Sequence, residues 1–181
     1  MELAKQTVAN HRGRIIATDR DAAAYVFDHM VFAHAKAEAA CLEDGWVPSR
    51  VEDFFPFSAE EHVFWIGFME NEYFVNYGNV TNYERWTEDE PDNIACQRVL
   101  YAFHLLGFRH RVEAFREMEL KLPRLRELEE HRWESDEADS AYCAFREELE
   151  LLPGETYEEG YSLLVNYYRR HEAAFSVRLP P

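Results

Sequence analysis

The chain has 181 residues, 47% of them hydrophobic and 15% aromatic, with a formal net charge of -16. That length and apolar content support a self-sufficient core without disulfide or metal staples, and they point away from disorder. So large a carboxylate excess repels phosphate backbones and anionic membranes, so direct nucleic-acid binding is disfavoured and basic partners are attracted.

Residues 1–17 show no clear period and read as a loosely docked lead-in. Thr18 with Asp21 forms a capping box, each side chain satisfying the other's free backbone amide. From Asp19 to about Leu42 the apolar residues Ala22, Tyr25, Val26, Met30 and Ala33 recur at helical spacing, and Gly45 ends the run. Ser49 with Glu52 caps a short piece that Pro56 interrupts. Ser58 with Glu61 opens a helix to about Asn76 that is apolar almost all round, with Gly78 placed to stop it. Asn79 to Asp89 reads as an irregular acidic connection with room for one turn of helix around Tyr83. Pro91 suits the first turn of the next helix, striped by Ile94, Val99, Leu100, Phe103 and Leu106 and closed by Gly107. Helices from Arg109 to Lys121, from Pro123 to near Trp133, from Ser135 to Leu149 and from Tyr157 to Arg170 complete the chain, the last capped by Thr156 and Glu159. The expectation is an all-α single domain over 1–181, of about seven to nine helices.

Residues 41–100 hold three Arg against thirteen Asp and Glu, whereas residues 1–40 are neutral. The acidic excess is densest around Glu84, Glu88, Asp89, Glu90 and Asp92, with Glu70 and Glu72 just upstream and Trp86 as an aromatic anchor among them. One reading is a solvated face that keeps the protein soluble. The other is a partner-binding surface that steers toward a basic protein groove.

Tyr73-Phe74-Val75-Asn76 followed by Gly78, the Ala95–Gly107 segment, and Tyr167-Tyr168 with His171 and Phe175 carry a resemblance. Over residues 60–177 the chain resembles the neisserial DNA-mimic protein family, otherwise a domain of unknown function. The Asn-Gly-Gly half of that family's first element is replaced here by Gly67-Phe68-Met69-Glu70. The resemblance implies a helical, often dimeric protein whose carboxylates imitate duplex DNA toward a DNA-binding protein.

Signatures of catalysis are sparse. The eight His show no HExxH or facial-triad spacing, Cys41, Cys96 and Cys143 form no CxxC pair, and no phosphate loop or nucleophile elbow is present. No metal or cofactor is therefore expected. The odd, unpaired cysteines and the absence of a signal-like or membrane-spanning run suggest a cytoplasmic protein. The sequence thus reads as a non-enzymatic acidic interaction protein, a homodimer that could act as a DNA mimic. The alternatives are an immunity-type or scaffold protein with one cognate partner, and a hydrolase-like enzyme assembled from scattered His and carboxylates.

Overall fold

The computed structural model describes residues 16–33, 57–88 and 94–179. Among them are six α-helices and one 3-10 helix, with no strand: α1 (Asp19–Ala33), α2 (Ala59–Glu88), α3 (Ile94–Leu106), α4 (Arg109–His131), α5 (Asp136–Glu150), α6 (Tyr157–His171) and a 3-10 turn at Glu172–Ala174. The all-α expectation holds, at the low end of its helix count. No described helix is long and apolar enough to cross a membrane.

Local capping chemistry sets where the helices begin. Thr18 Oγ1 accepts from the Asp21 amide at 3.1 Å while the Asp21 carboxylate accepts from the Thr18 amide at 3.0 Å. Ser58 and Glu61 repeat the exchange at 3.1 and 2.9 Å, and Thr156 and Glu159 at 3.2 and 2.8 Å. Ser135 accepts from the Ala138 amide to start α5. Each cap satisfies amides that the helix leaves open, for about 1 kcal/mol. The box at Ser49 and Glu52, Gly45, Pro91 and the lead-in up to residue 15 lie outside the described residues, as does the stretch of the first helix beyond Ala33.

Helix α2 is the hub, packing on α1, α3, α4, α5 and α6. Its near-continuous apolar surface makes this possible: Val63, Phe64, Trp65, Ile66 and Phe68 are all buried. Gly67 sits inside the helix because a β-carbon there would collide with Leu106 of α3 and lie 3.0 Å from Leu164 of α6. Ring contacts extend the core, with Tyr83 and Phe103 both edge-on to Phe115, at 5.4 and 5.5 Å. The C-terminal tail docks by hydrogen bonds as well as by Phe175 and Val177. Glu61, beyond its capping role, accepts from the Ser176 amide at 2.7 Å, and the Tyr168 hydroxyl donates to the Val177 carbonyl at 3.1 Å.

Two boundaries depart from the sequence expectation. Gly78 does end the first helical segment, with φ 75° and ψ 178°, but a second segment starts at once and continues to Glu88, so Asn79 to Glu88 is helical and not an irregular connection. The physical reason is a replacement cap, since the Glu150 carboxylate accepts from the Val80 amide at 3.2 Å and restarts the helix. Pro123 likewise does not begin a new helix but lies within the continuous α4. Its ring faces solvent, while the adjacent Leu122 and the nearby Leu125 are buried and hold both sides of the break against the core. That burial offsets a proline cost of roughly 3 kcal/mol.

Candidate functional site

The residues singled out in the sequence separate into three groups. Glu70 and Glu72 do not contribute to an exposed acidic face. Glu70 is fully buried, and Glu72 accepts from the Tyr157 hydroxyl at 3.0 Å and from the Tyr161 hydroxyl. Two residues apart, they point to different sides of α2, Glu70 inward toward the charge of Arg111 on α4 and Glu72 toward the tyrosines of α6, so helix packing engages both carboxylates. Burial, reinforced by Glu72, pushes the Tyr161 hydroxyl far above the ordinary tyrosine range, so it stays a proton donor. Arg20 of α1 lies over the Tyr157 ring at 5.2 Å and brings positive charge to the same corner.

Glu84, Trp86 and Glu88 fall on the second segment of α2 together with Tyr73, Phe74 and Asn76 on the first, and here the backbone alone is described. Asp89, Glu90 and Asp92 lie outside the described residues. Gly78 is the kink. The structure therefore places Tyr73, Phe74 and Asn76 and the acidic positions Glu84 and Glu88 on two consecutive helical segments joined at Gly78.

Next to Glu72 lies a buried polar network that the sequence did not reveal. Arg111 of α4 is fully enclosed and donates to Asn71 Oδ1 at 2.7 Å, with its Nε 3.8 Å from the Glu155 carboxylate. Burial lowers the guanidinium pKa to about 10, against the opposing pull of Glu155 and Glu70, so Arg111 remains charged at neutral pH. Glu155 has a second task, accepting from the His110 and Arg111 amides at 2.8 and 3.2 Å and so capping the open start of α4. The Asn71 amide in turn donates to the Tyr157 carbonyl at 3.2 Å. The network ties α2, α4 and the entry to α6 together through charge and hydrogen bonds. Its signal in the sequence was only the unusual placement of Glu, Asn and Glu in an otherwise apolar helix.

The exposed acidity of the described residues is concentrated instead on α5. That helix carries Asp136, Glu137, Asp139, Glu147, Glu148 and Glu150 against the single cation Arg146. Asp136, Glu137 and Asp139 favour the positive helix start, but Glu147, Glu148 and Glu150 crowd the negative end with no basic residue in the last turn. Partial relief comes from Lys121, which bonds Glu148, and from Arg146, 3.9 Å from Glu150. Asp136, Glu137 and Glu147 form no ion pair with another described residue. By contrast α4 is balanced, with six cations and six carboxylates.

Among the described residues no three His, Cys, Asp or Glu converge closely enough to hold a metal ion. What the surface offers chemically is anionic charge on a rigid helical pair. No family model matches the chain, and no curated protein or solved structure matches it either.

Proposed function

We propose that this chain is a non-enzymatic acidic binding protein whose partner is a basic protein, one that itself binds DNA. The observation that carries the reading is α5, with six carboxylates against one Arg and three of those carboxylates at the helix end where they are least favourable. Glu150 is used within the fold as the cap on the α2 restart and Glu148 is bonded by Lys121, while Asp136, Glu137 and Glu147 give α5 a field that attracts cations. The overall charge of -16 extends that field, which accelerates encounter with a basic surface and makes it salt-sensitive.

The DNA-binding character of the partner rests on the resemblance to the DNA-mimic family, and the reading includes the cytoplasm as location and a homodimer as state. Glu84, Glu88, Asp89, Glu90 and Asp92, with Trp86, remain part of the proposed contact surface, extended now by α5. Glu70 and Glu72 drop out because they serve the interior. Along α5, Asp136 and Glu147 share a face about 16 Å apart, with Ser140 and Cys143 between them, given a rise of about 1.5 Å per residue. This favours recognition by field over a phosphate-by-phosphate copy.

The test is capture from native lysate followed by competition. The captured protein is expected to bind duplex DNA, to lose the DNA when this chain is added, and to bind it more weakly as salt rises from about 50 to 200 mM. A partner without a basic surface, or salt-independent binding, overturns the reading in favour of a scaffold or immunity-type role.

A further inference from the structure

We propose that the turn joining α4 to α5 is the point at which the basic partner docks, with the Trp133 indole as its anchor. The proposal rests on the reading of the chain as an acidic binding protein. Trp133 is 81% exposed, an expensive position for the largest apolar side chain. It is nevertheless held. The Arg132 guanidinium lies over its ring at 4.5 Å and over the buried Tyr142 ring at 4.2 Å. The same guanidinium bonds Asp139 through Nε at 2.9 Å and Nη2 at 2.8 Å. Backbone bonds from the Arg132 amide to the Glu129 carbonyl and from the Glu134 amide to the His131 carbonyl fix the turn itself.

The Arg132 stack favours one orientation of the ring by about 0.5–1 kcal/mol, which lowers the ordering cost left for a partner. Exposed and immobilised Trp is the residue type that dominates interface energetics. The surrounding charge decides what it fits. Asp139 neutralises Arg132, whereas Glu129, Glu130, Asp136 and Glu137 lie within four residues of Trp133 and form no ion pair with another described residue. The occupant is therefore a Lys- and Arg-rich protein segment: one cation stacks on the indole face opposite Arg132 while its neighbours pair with the carboxylates. Among the described residues, Tyr101, Leu105, Leu120 and Leu151 are also exposed, and none is stacked by a guanidinium as Trp133 is.

The experiment titrates the full chain into a fluorescently labelled, unstructured Lys- and Arg-rich peptide and reads anisotropy, with a Gln-substituted peptide as control. The basic peptide is expected to bind and the Gln peptide not to bind. Trp133→Ala is expected to weaken binding about tenfold, Trp133→Phe to recover part of it, and Glu130→Gln with Glu137→Gln to weaken it and flatten its salt dependence. Circular dichroism melting of each variant reports that the fold is intact. Unchanged affinity in Trp133→Ala, with loss in the carboxylate variants, overturns the anchor and leaves the acidic reading standing. Equal binding of both peptides, or of neither, overturns the docking point, whereas the acidic reading itself stands or falls on the separate capture experiment.

Discussion

Asn71 of α2 and Gly160 of α6 meet so closely that a β-carbon on Gly160 would fall inside the Asn71 amide. The same amide accepts from Arg111 and donates to the Tyr157 carbonyl, so the missing side chain at 160 is what lets one asparagine join three segments. Close approach, a buried charge and a helix start are thus one arrangement.

Substituting Gly160 reads this arrangement directly. Helix propensity alone favours Ala over Gly by about 1 kcal/mol. The collision with Asn71 reverses the sign, and Gly160→Ala is expected to destabilise by roughly 1–3 kcal/mol in urea unfolding. Combined with Asn71→Ala, the loss should be smaller than the sum of the two single changes. A more stable Gly160→Ala protein would show that the two helices separate freely.

Arg111→Met removes the buried cation and leaves Glu155 and Glu70 without it. The expected loss is about 3–5 kcal/mol, most of it the cost of the carboxylates left behind. Adding Glu155→Gln should return part of that stability, though not the cap on α4. Chemical unfolding of the two variants checks this, and equal stability of Arg111→Met and wild type would remove the network from the account.

The bend in α2 is held from α5. Asn79 Nδ2 lies 3.3, 3.1 and 3.0 Å from the carbonyls of Leu149, Glu150 and Leu152, closing the end of α5, while Glu150 closes the restart of α2. Asn79→Ala is expected to cost about 1–3 kcal/mol. Gly78→Ala is expected to cost about 1–2 kcal/mol from the positive φ alone, with further loss from contact with Glu150. Hydrogen exchange should rise first in the last turn of α5 for both.

The cysteines give a pH-dependent readout. Cys96 is buried, and desolvation, then the charge of Glu119, raises its thiol to about 11, while Cys143 is exposed. Iodoacetamide at about pH 8 should label Cys143 and spare Cys96 until the protein unfolds. Because the folded state retains the Cys96 proton more tightly than the unfolded state, its contribution is complete below about pH 9 and is lost as pH rises toward 11. Cys96→Ala should flatten that alkaline decline in thermal unfolding, and an unaltered slope would assign the decline to other groups.

What the sequence determined by itself was local. Helical class, the starts at Thr18, Ser58, Ser135 and Thr156, and the stop at Gly107 all follow from contacts within a few residues, where spacing in the chain is spacing in space. The tertiary structure decided the rest. Gly78 ends one helical segment, but another follows it at once because a carboxylate 72 residues later caps the restart. Pro123 stays inside α4 because Leu122 before it and Leu125 after it are buried in the core. Glu70 and Glu72 look like surface charge in a list of carboxylates, but their helix turns them toward Arg111 and the two tyrosines of α6. Trp133 becomes a presented ring only once Tyr142 and Asp139 of the next helix hold Arg132 beneath it. Composition specifies how much charge a chain carries; the packing of its helices specifies which of that charge meets solvent.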